Sequence, residues 1–139
     1  MLISRECDYA IRIVRQLVTG GKMKAEEICG AENVSIQFAY KILKKLEEGG
    51  LVNVFRGVQG GYTIAKEGKD ISLFDIFIAM EEDLGVSACL TEGFCCPMNK
   101  VDKPCSVHRE LERIQDVLVD LMKEKTLEEL FSGDKLDWC

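Results

Sequence analysis

The hydrophobic period of this chain changes at Gly49-Gly50, and that change narrows the folds open to it. Upstream, apolar residues recur at helical spacing. Ser4 is a candidate N-cap for a helix over 3–19, in which Cys7, Ala10, Ile11, Val14, Leu17 and Val18 form one stripe, ended by Gly20-Gly21. A short second helix is expected from about Lys24 to Cys29, stopping near Gly30. A third follows Ser35, with Ala39, Ile42, Leu43 and Leu46 on one face. Downstream, Leu51–Phe55 and Tyr62–Ile64 are β-rich and flank the turn-rich stretch Arg56-Gly57-Val58-Gln59-Gly60-Gly61. Two short β-rich runs around a glycine-bearing loop predict a hairpin.

Three helices followed by a hairpin is the order of a winged helix-turn-helix, so the expected fold is mainly α with a small β-hairpin. Ser72 caps a further helix through about Glu82. Residues 84–103 lack a regular period and contain Gly85, Gly93 and Pro97, and a long irregular stretch inside a small domain points to a function there. Helix resumes near Pro104. Val107, Leu111, Ile114, Leu118 and Leu121 form a heptad seam with polar surroundings, which calls for a partner helix. Thr126-Leu127-Glu128-Glu129 is a capping box for a last short helix, and Trp138 and Cys139 have no assignable role. The expected division is 1–83 for a winged helix-turn-helix domain, 84–103 for a cysteine-bearing loop, and 104–139 for a dimerisation helix and tail.

No run of about 18 apolar residues exists to span a membrane. The N-terminal segment lacks an apolar signal core, so a cytoplasmic protein with reduced thiols is expected. An enzyme is not expected: there is no nucleotide loop or nucleophile–base signature, and only one histidine. The net charge of −6 argues against nucleic acid only until its distribution is considered. Residues 34–66 carry five bases (Lys41, Lys44, Lys45, Arg56, Lys66) against two acids (Glu47, Glu48), a local +3. Within the third helix, which Ser35 opens, Gln37, Tyr40, Lys41, Lys44 and Lys45 could reach base edges or phosphates in a major groove. Most surface helices carry a similar polar face. The hairpin strengthens the reading, because Arg56 followed by small residues, with Gly60 and Gly61, suits a wing along a phosphate backbone or in a minor groove.

Four of the seven cysteines and the single histidine fall between positions 89 and 108: Cys89, Cys95, Cys96, Cys105 and His108. Soft thiolates with an imidazole bind zinc or an iron–sulfur cluster. His108 stands three residues after Cys105 at a helix start, so both can face one side. Cys7 and Cys29 fall at apolar helical positions and read as core thiols.

The motifs Asp8-Tyr9-Ala10-Ile11-Arg12, Val34 through Leu46, Gly50-Leu51-Val52, Arg56-Gly57 and Gly60-Gly61-Tyr62 occur in this order. Over roughly residues 1–123 the chain resembles the winged-helix iron–sulfur transcription regulators, the family of the cluster-assembly repressor and the nitric-oxide-sensing repressor. The resemblance implies a homodimer formed through the long C-terminal helix, binding a double-stranded DNA operator. It also implies a cluster (2Fe–2S or 4Fe–4S) on three cysteines, here Cys89, Cys95 and Cys105, with His108 as fourth ligand. Asp8 is a rival fourth ligand, as in some nitric-oxide-sensing relatives, and Cys96 competes both for that role and with Cys95. Two departures stand out. Tyr40 falls where the cluster-assembly regulator has a carboxylate, and nine residues separate Cys95 from Cys105, more than is usual. The expected function is therefore a homodimeric DNA-binding transcriptional regulator sensing cluster, redox or nitric-oxide status. The alternatives are a zinc-stapled or metal-free thiol-sensing regulator, or a protein-binding adaptor on the same fold.

Overall fold

The computed structural model describes residues 3–81 and 84–132. Ser4 opens α1 (Arg5–Gly20), its hydroxyl accepting the Cys7 N–H at 3.2 Å, and Glu6 and Asp8 complement the positive end of the helix dipole. The α1 stripe buries Cys7, Ala10, Ile13, Val14 and Leu17. The second helix, α2 (Ala25–Glu32), runs past Gly30, where the sequence placed its end, and stops at Asn33 in the left-handed region at φ 49°. The reason is tertiary. The last α2 residue, Glu32, is buried, and its carboxylate accepts from Gln16 at 2.6 Å and Arg15 at 3.4 Å, so α1 holds the final turn in place.

Helix α3 (Ile36–Glu48) starts as expected, with the Ser35 hydroxyl accepting the Phe38 N–H at 3.4 Å, and its face Ala39, Ile42, Leu43 and Leu46 is fully buried. Strands β1 (Val52–Phe55) and β2 (Gly61–Ile64) pair antiparallel, Val52 opposite Ile64 and Phe55 opposite Gly61. A hairpin on three helices is the winged helix-turn-helix arrangement that the change of period predicts. Met23, between α1 and α2, bridges to Tyr62 and ties the hairpin to the helical body.

Helix α4 (Leu73–Met80) opens on a Ser72–Asp75 capping box and ends two residues earlier than expected, because Glu81 turns extended; Glu82 lies outside the described residues. The segment that follows contains one 3-10 turn at Ala88–Leu90. The long helix α5 (Ser106–Glu124) begins just after Pro104, with Cys105 as its N-cap residue. Thr126 and Glu129 form the expected capping box of α6 (Leu127–Phe131). Trp138 and Cys139 lie outside the described residues. One apolar core joins α1, α2, α3 and α4, and Leu127 of α6 enters it. Each large aliphatic side chain fully buried there contributes roughly 1.5–3 kcal/mol relative to exposure.

Candidate nucleic-acid interface and cysteine loop

Burial of Ala39, Ile42, Leu43 and Leu46 turns the opposite side of α3 outward. Gln37 is exposed, Tyr40 is 47% exposed, and the Lys44 side chain is 74% exposed. Lys44 faces Glu48 one turn on at 3.7 Å, a solvated pair worth only tenths of a kcal/mol (about 0.3–0.5). Lys41 and Lys45 are differently placed. Both ammonium groups meet Glu6 of α1, Lys45 at 3.1 Å, and Lys45 also donates to the Met80 carbonyl at 3.1 Å. These two bonds hold the Glu6 carboxyl below its ordinary range. The Ser35 hydroxyl caps its own helix by accepting the Phe38 N–H.

A groove of about 520 Å³ separates α3 from the hairpin, with Lys24, Tyr40, Phe55, Arg56, Gly60 and Tyr62 on its walls. Burial raises the Tyr62 phenol pKa, and Tyr40, Glu47 and Glu26 raise it further. Arg56 is exposed and has no ion pair among the described residues. The turn packs so closely that a Cβ on Gly60 would lie 2.7 Å from the carbonyl oxygens of Phe55 and Gly57. A side chain on Gly61, at φ +148°, would come within 2.9 Å of the Met23 oxygen. Lys22 was missed by sequence reasoning. Its ammonium donates to the Gln59 carbonyl and sits 4.9 Å from the Phe55 ring centre, bracing the hairpin from 37 residues away in the chain. No local sequence signal marks it.

The Asp-Tyr-Ala-Ile-Arg motif proves to be a packing unit in this chain. Asp8 pairs with Arg12 at 3.2 Å, and the Arg12 guanidinium lies 5.4 Å from the Tyr9 ring centre. The Tyr9 ring packs perpendicular to that of Phe38 of α3, their centres 5.5 Å apart.

The candidate ligands are spread along the loop. Cys89 is half-buried on the 3-10 turn with its thiol 3.4 Å from the Ser87 hydroxyl. Cys95 is exposed, and Cys96 and Cys105 are half-buried. The Cys105 N–H donates to the Asn99 side chain at 3.0 Å. The His108 Nδ1 atom is buried and has no hydrogen-bond partner among the described residues. That orphaned nitrogen and the neighbouring thiols have the donor chemistry of a cluster or zinc site. The geometry does not gather them: among the described residues, no three His, Cys, Asp or Glu side chains form a group able to hold a metal ion. Asp8 is engaged with Arg12. Cys7 is buried, and burial pushes its thiol up to about 11, with smaller contributions from Glu81 and Asp8. Burial also raises the half-exposed Cys29.

Helix α5 has two faces. Val119 and Met122 pack on the core. Along the seam, Val107 is 63%, Ile114 45% and Leu121 60% exposed, while Leu111 and Leu118 are half-buried. Nothing among the described residues covers this stripe fully. No helix among them is long and apolar enough to cross a membrane.

A family model for Rrf2, described as an iron-dependent transcriptional regulator, matches residues 3–133. Protein aau3 of Rhizobium meliloti is 28% identical over 133 residues, spanning 94% of this chain and 84% of the relative. The HTH-type transcriptional regulator IscR of Escherichia coli O1:K1 is 24% identical over 116 residues, spanning 84% of this chain and 69% of IscR. Among solved structures, CymR, the global cysteine regulator of B. subtilis, superimposes with a TM-score of 0.72 at 26% identity. The match covers 94% of this chain and 95% of CymR.

Proposed function

This chain belongs to the Rrf2 family of DNA-binding transcriptional regulators, and on that premise we propose that it is a homodimeric repressor whose DNA affinity is set at its cysteine loop. In this reading, residues 1–83 bind a double-stranded operator, residues 84–103 sense, and residues 104–139 dimerise. The observation that carries the DNA assignment is that Tyr40 of α3 and Arg56 of the hairpin line one groove. Gln37, Tyr40 and Lys44 are exposed on α3, Lys44 in a solvated pair with Glu48, and Arg56 has no ion pair among the described residues. Gln37 and Tyr40 offer directional donors and acceptors to base edges, Lys44 a point charge to phosphate, and Arg56 a guanidinium responsive to groove width.

The favoured signal is an iron–sulfur cluster. Cys89, Cys95 and Cys105 would hold it as thiolates and His108 as a neutral imidazole, with Cys96 and Asp8 as alternates. A bound cluster supplies redox and ligand-exchange chemistry. The residues of the chain contribute the rest. Deprotonated thiols and an unprotonated imidazole are required to hold it. Because the donors are dispersed, binding must draw the loop together. It can shift DNA affinity only by as much as the gathered loop favours one dimer geometry over another.

A metal-free thiol sensor has one observation in its favour: Cys95 is exposed and adjoins Cys96 in the chain. Iron and acid-labile sulfide analysis with visible spectra, on anaerobically purified protein, separates these readings. Stoichiometric iron and sulfide, lost on replacing Cys89, Cys95 and Cys105 by Ser with helical content retained, supports the cluster. A colourless protein with one zinc per chain, or with no metal, rejects it. Absence of salt-sensitive DNA binding in every state of the loop would sink the regulator assignment for this chain.

A further inference from the structure

We propose that Glu6 is a specificity-determining residue of the DNA-reading surface: its carboxylate withholds Lys41 and Lys45 from phosphate and so restrains sequence-independent binding. This inference rests on the DNA reading above.

From sequence alone, Lys41, Lys44 and Lys45 are equivalent cations on one helix. The structure separates them. Lys41 and Lys45 are one turn apart, on the side of α3 nearest α1, and share a single carboxylate. Lys45 is further fixed by the Met80 carbonyl at 3.1 Å, and its side chain is only 36% exposed. Glu6 is 24% exposed, so stripping its lysines away would leave a carboxylate short of both partners and water. Phosphate must therefore compete with a partly dehydrated double ion pair for Lys41 and Lys45. For Lys44 it competes only with a solvated one at 3.7 Å.

Sequence-independent affinity grows with the number of cations that neutralise phosphates, whereas base readout depends on directional contacts. Reducing the cations available near Gln37 and Tyr40 lowers the first without touching the second. The ratio between operator and bulk DNA rises as a result.

The experiment uses the full chain and two duplexes: an operator recovered by selection from a random pool, and a scrambled duplex of the same length. Affinity is measured across several salt concentrations for wild type, Lys41→Ala, Lys44→Ala, Glu6→Gln, and the double variant Glu6→Gln/Lys41→Ala. Lys44→Ala is expected to flatten the salt dependence by roughly one unit of slope per bound chain, and Lys41→Ala to leave it nearly unchanged. Glu6→Gln is expected to steepen it by about one unit per freed lysine and to raise scrambled-duplex affinity several-fold more than operator affinity. In that background Lys41→Ala then recovers about one unit. Equal flattening by Lys41→Ala and Lys44→Ala in the otherwise native chain overturns the proposal, a comparison that does not depend on how well Glu6→Gln folds. An unchanged slope in a folded Glu6→Gln variant overturns it too. Wild type that binds neither duplex removes the DNA reading itself, a result distinct from both.

Discussion

Met23 and Tyr62 exchange two backbone hydrogen bonds, 3.0 Å from the Met23 N–H and 2.8 Å from the Tyr62 N–H. The hairpin is thereby held as part of a sheet edge that begins between α1 and α2, and Gly61 sits where that edge is tightest. A Cβ there would meet the Met23 oxygen at 2.9 Å with φ at +148°. Gly61→Val is expected to cost about 1–3 kcal/mol and to swing the hairpin away from α3. Far-UV circular dichroism should keep its helical signal while DNA binding weakens at least tenfold by titration, a factor of about 1.4 kcal/mol. Unchanged binding would show that the hairpin is not a wing.

Ile114 lies mid-seam and is 45% exposed in the single chain. If a second copy covers it, Ile114→Lys places an unpaired ammonium in an apolar interface, at a cost of several kcal/mol (roughly 3–5). Sedimentation should find monomer or aggregate in place of dimer. A dimer of unaltered stability would move the interface elsewhere.

The Cys7 thiol has a pKa raised by burial to about 11. In the unfolded chain it ionises near its ordinary value of 9.0, so its stabilising contribution is complete below that pH and is lost as pH rises towards 11. Thermal unfolding of wild type should therefore fall more steeply between these values than that of Cys7→Ala. Alkylation of the native protein at pH 8 should label exposed Cys95 and spare Cys7. Rapid labelling of Cys7 would contradict its burial at 1% exposure.

Gln37→Ala and Tyr40→Ala are expected to cost about 1–3 kcal/mol on a selected operator and little on a scrambled duplex. Arg56→Ala should weaken both, more strongly where the minor groove is narrow. Competition titrations on the two duplexes test this. Equal losses on both for Gln37→Ala and Tyr40→Ala would remove α3 from base reading.

Local chemistry made much of this chain legible. Ser4, Ser35, Ser72 and Thr126 each cap the helix that the sequence assigned to them, because a cap bonds within three residues. The hairpin followed from β-rich runs around glycine. What escaped depends on distant partners. Gly30 does not end α2, because Glu32 is held by Gln16 and Arg15 of another helix. Lys41 and Lys45 look like free cations until Glu6, 35 and 39 residues earlier, is folded against them. For Cys89, Cys95, Cys105 and His108, residue type reveals donor softness, but spacing along an irregular loop does not reveal whether the donors converge.

Helix α5 is a beam clamped at one end. Its exit is fastened where the Leu127 N–H donates to the Ile71 carbonyl at 2.8 Å and Ser72 bridges Thr126, with Leu127 sunk in the core. Its middle is pinned by the Gln115 side chain, which accepts the Val86 N–H at 3.1 Å. From Gln115 back to Ser106 the helix runs roughly 13 Å, and Cys105 stands at its start. A tilt of about 10° moves that start by roughly 2 Å while leaving the clamped half in place. A force applied at Cys105 thus acts through the longest arm the helix has, and the torque is delivered to the stripe of Val107, Leu111 and Ile114.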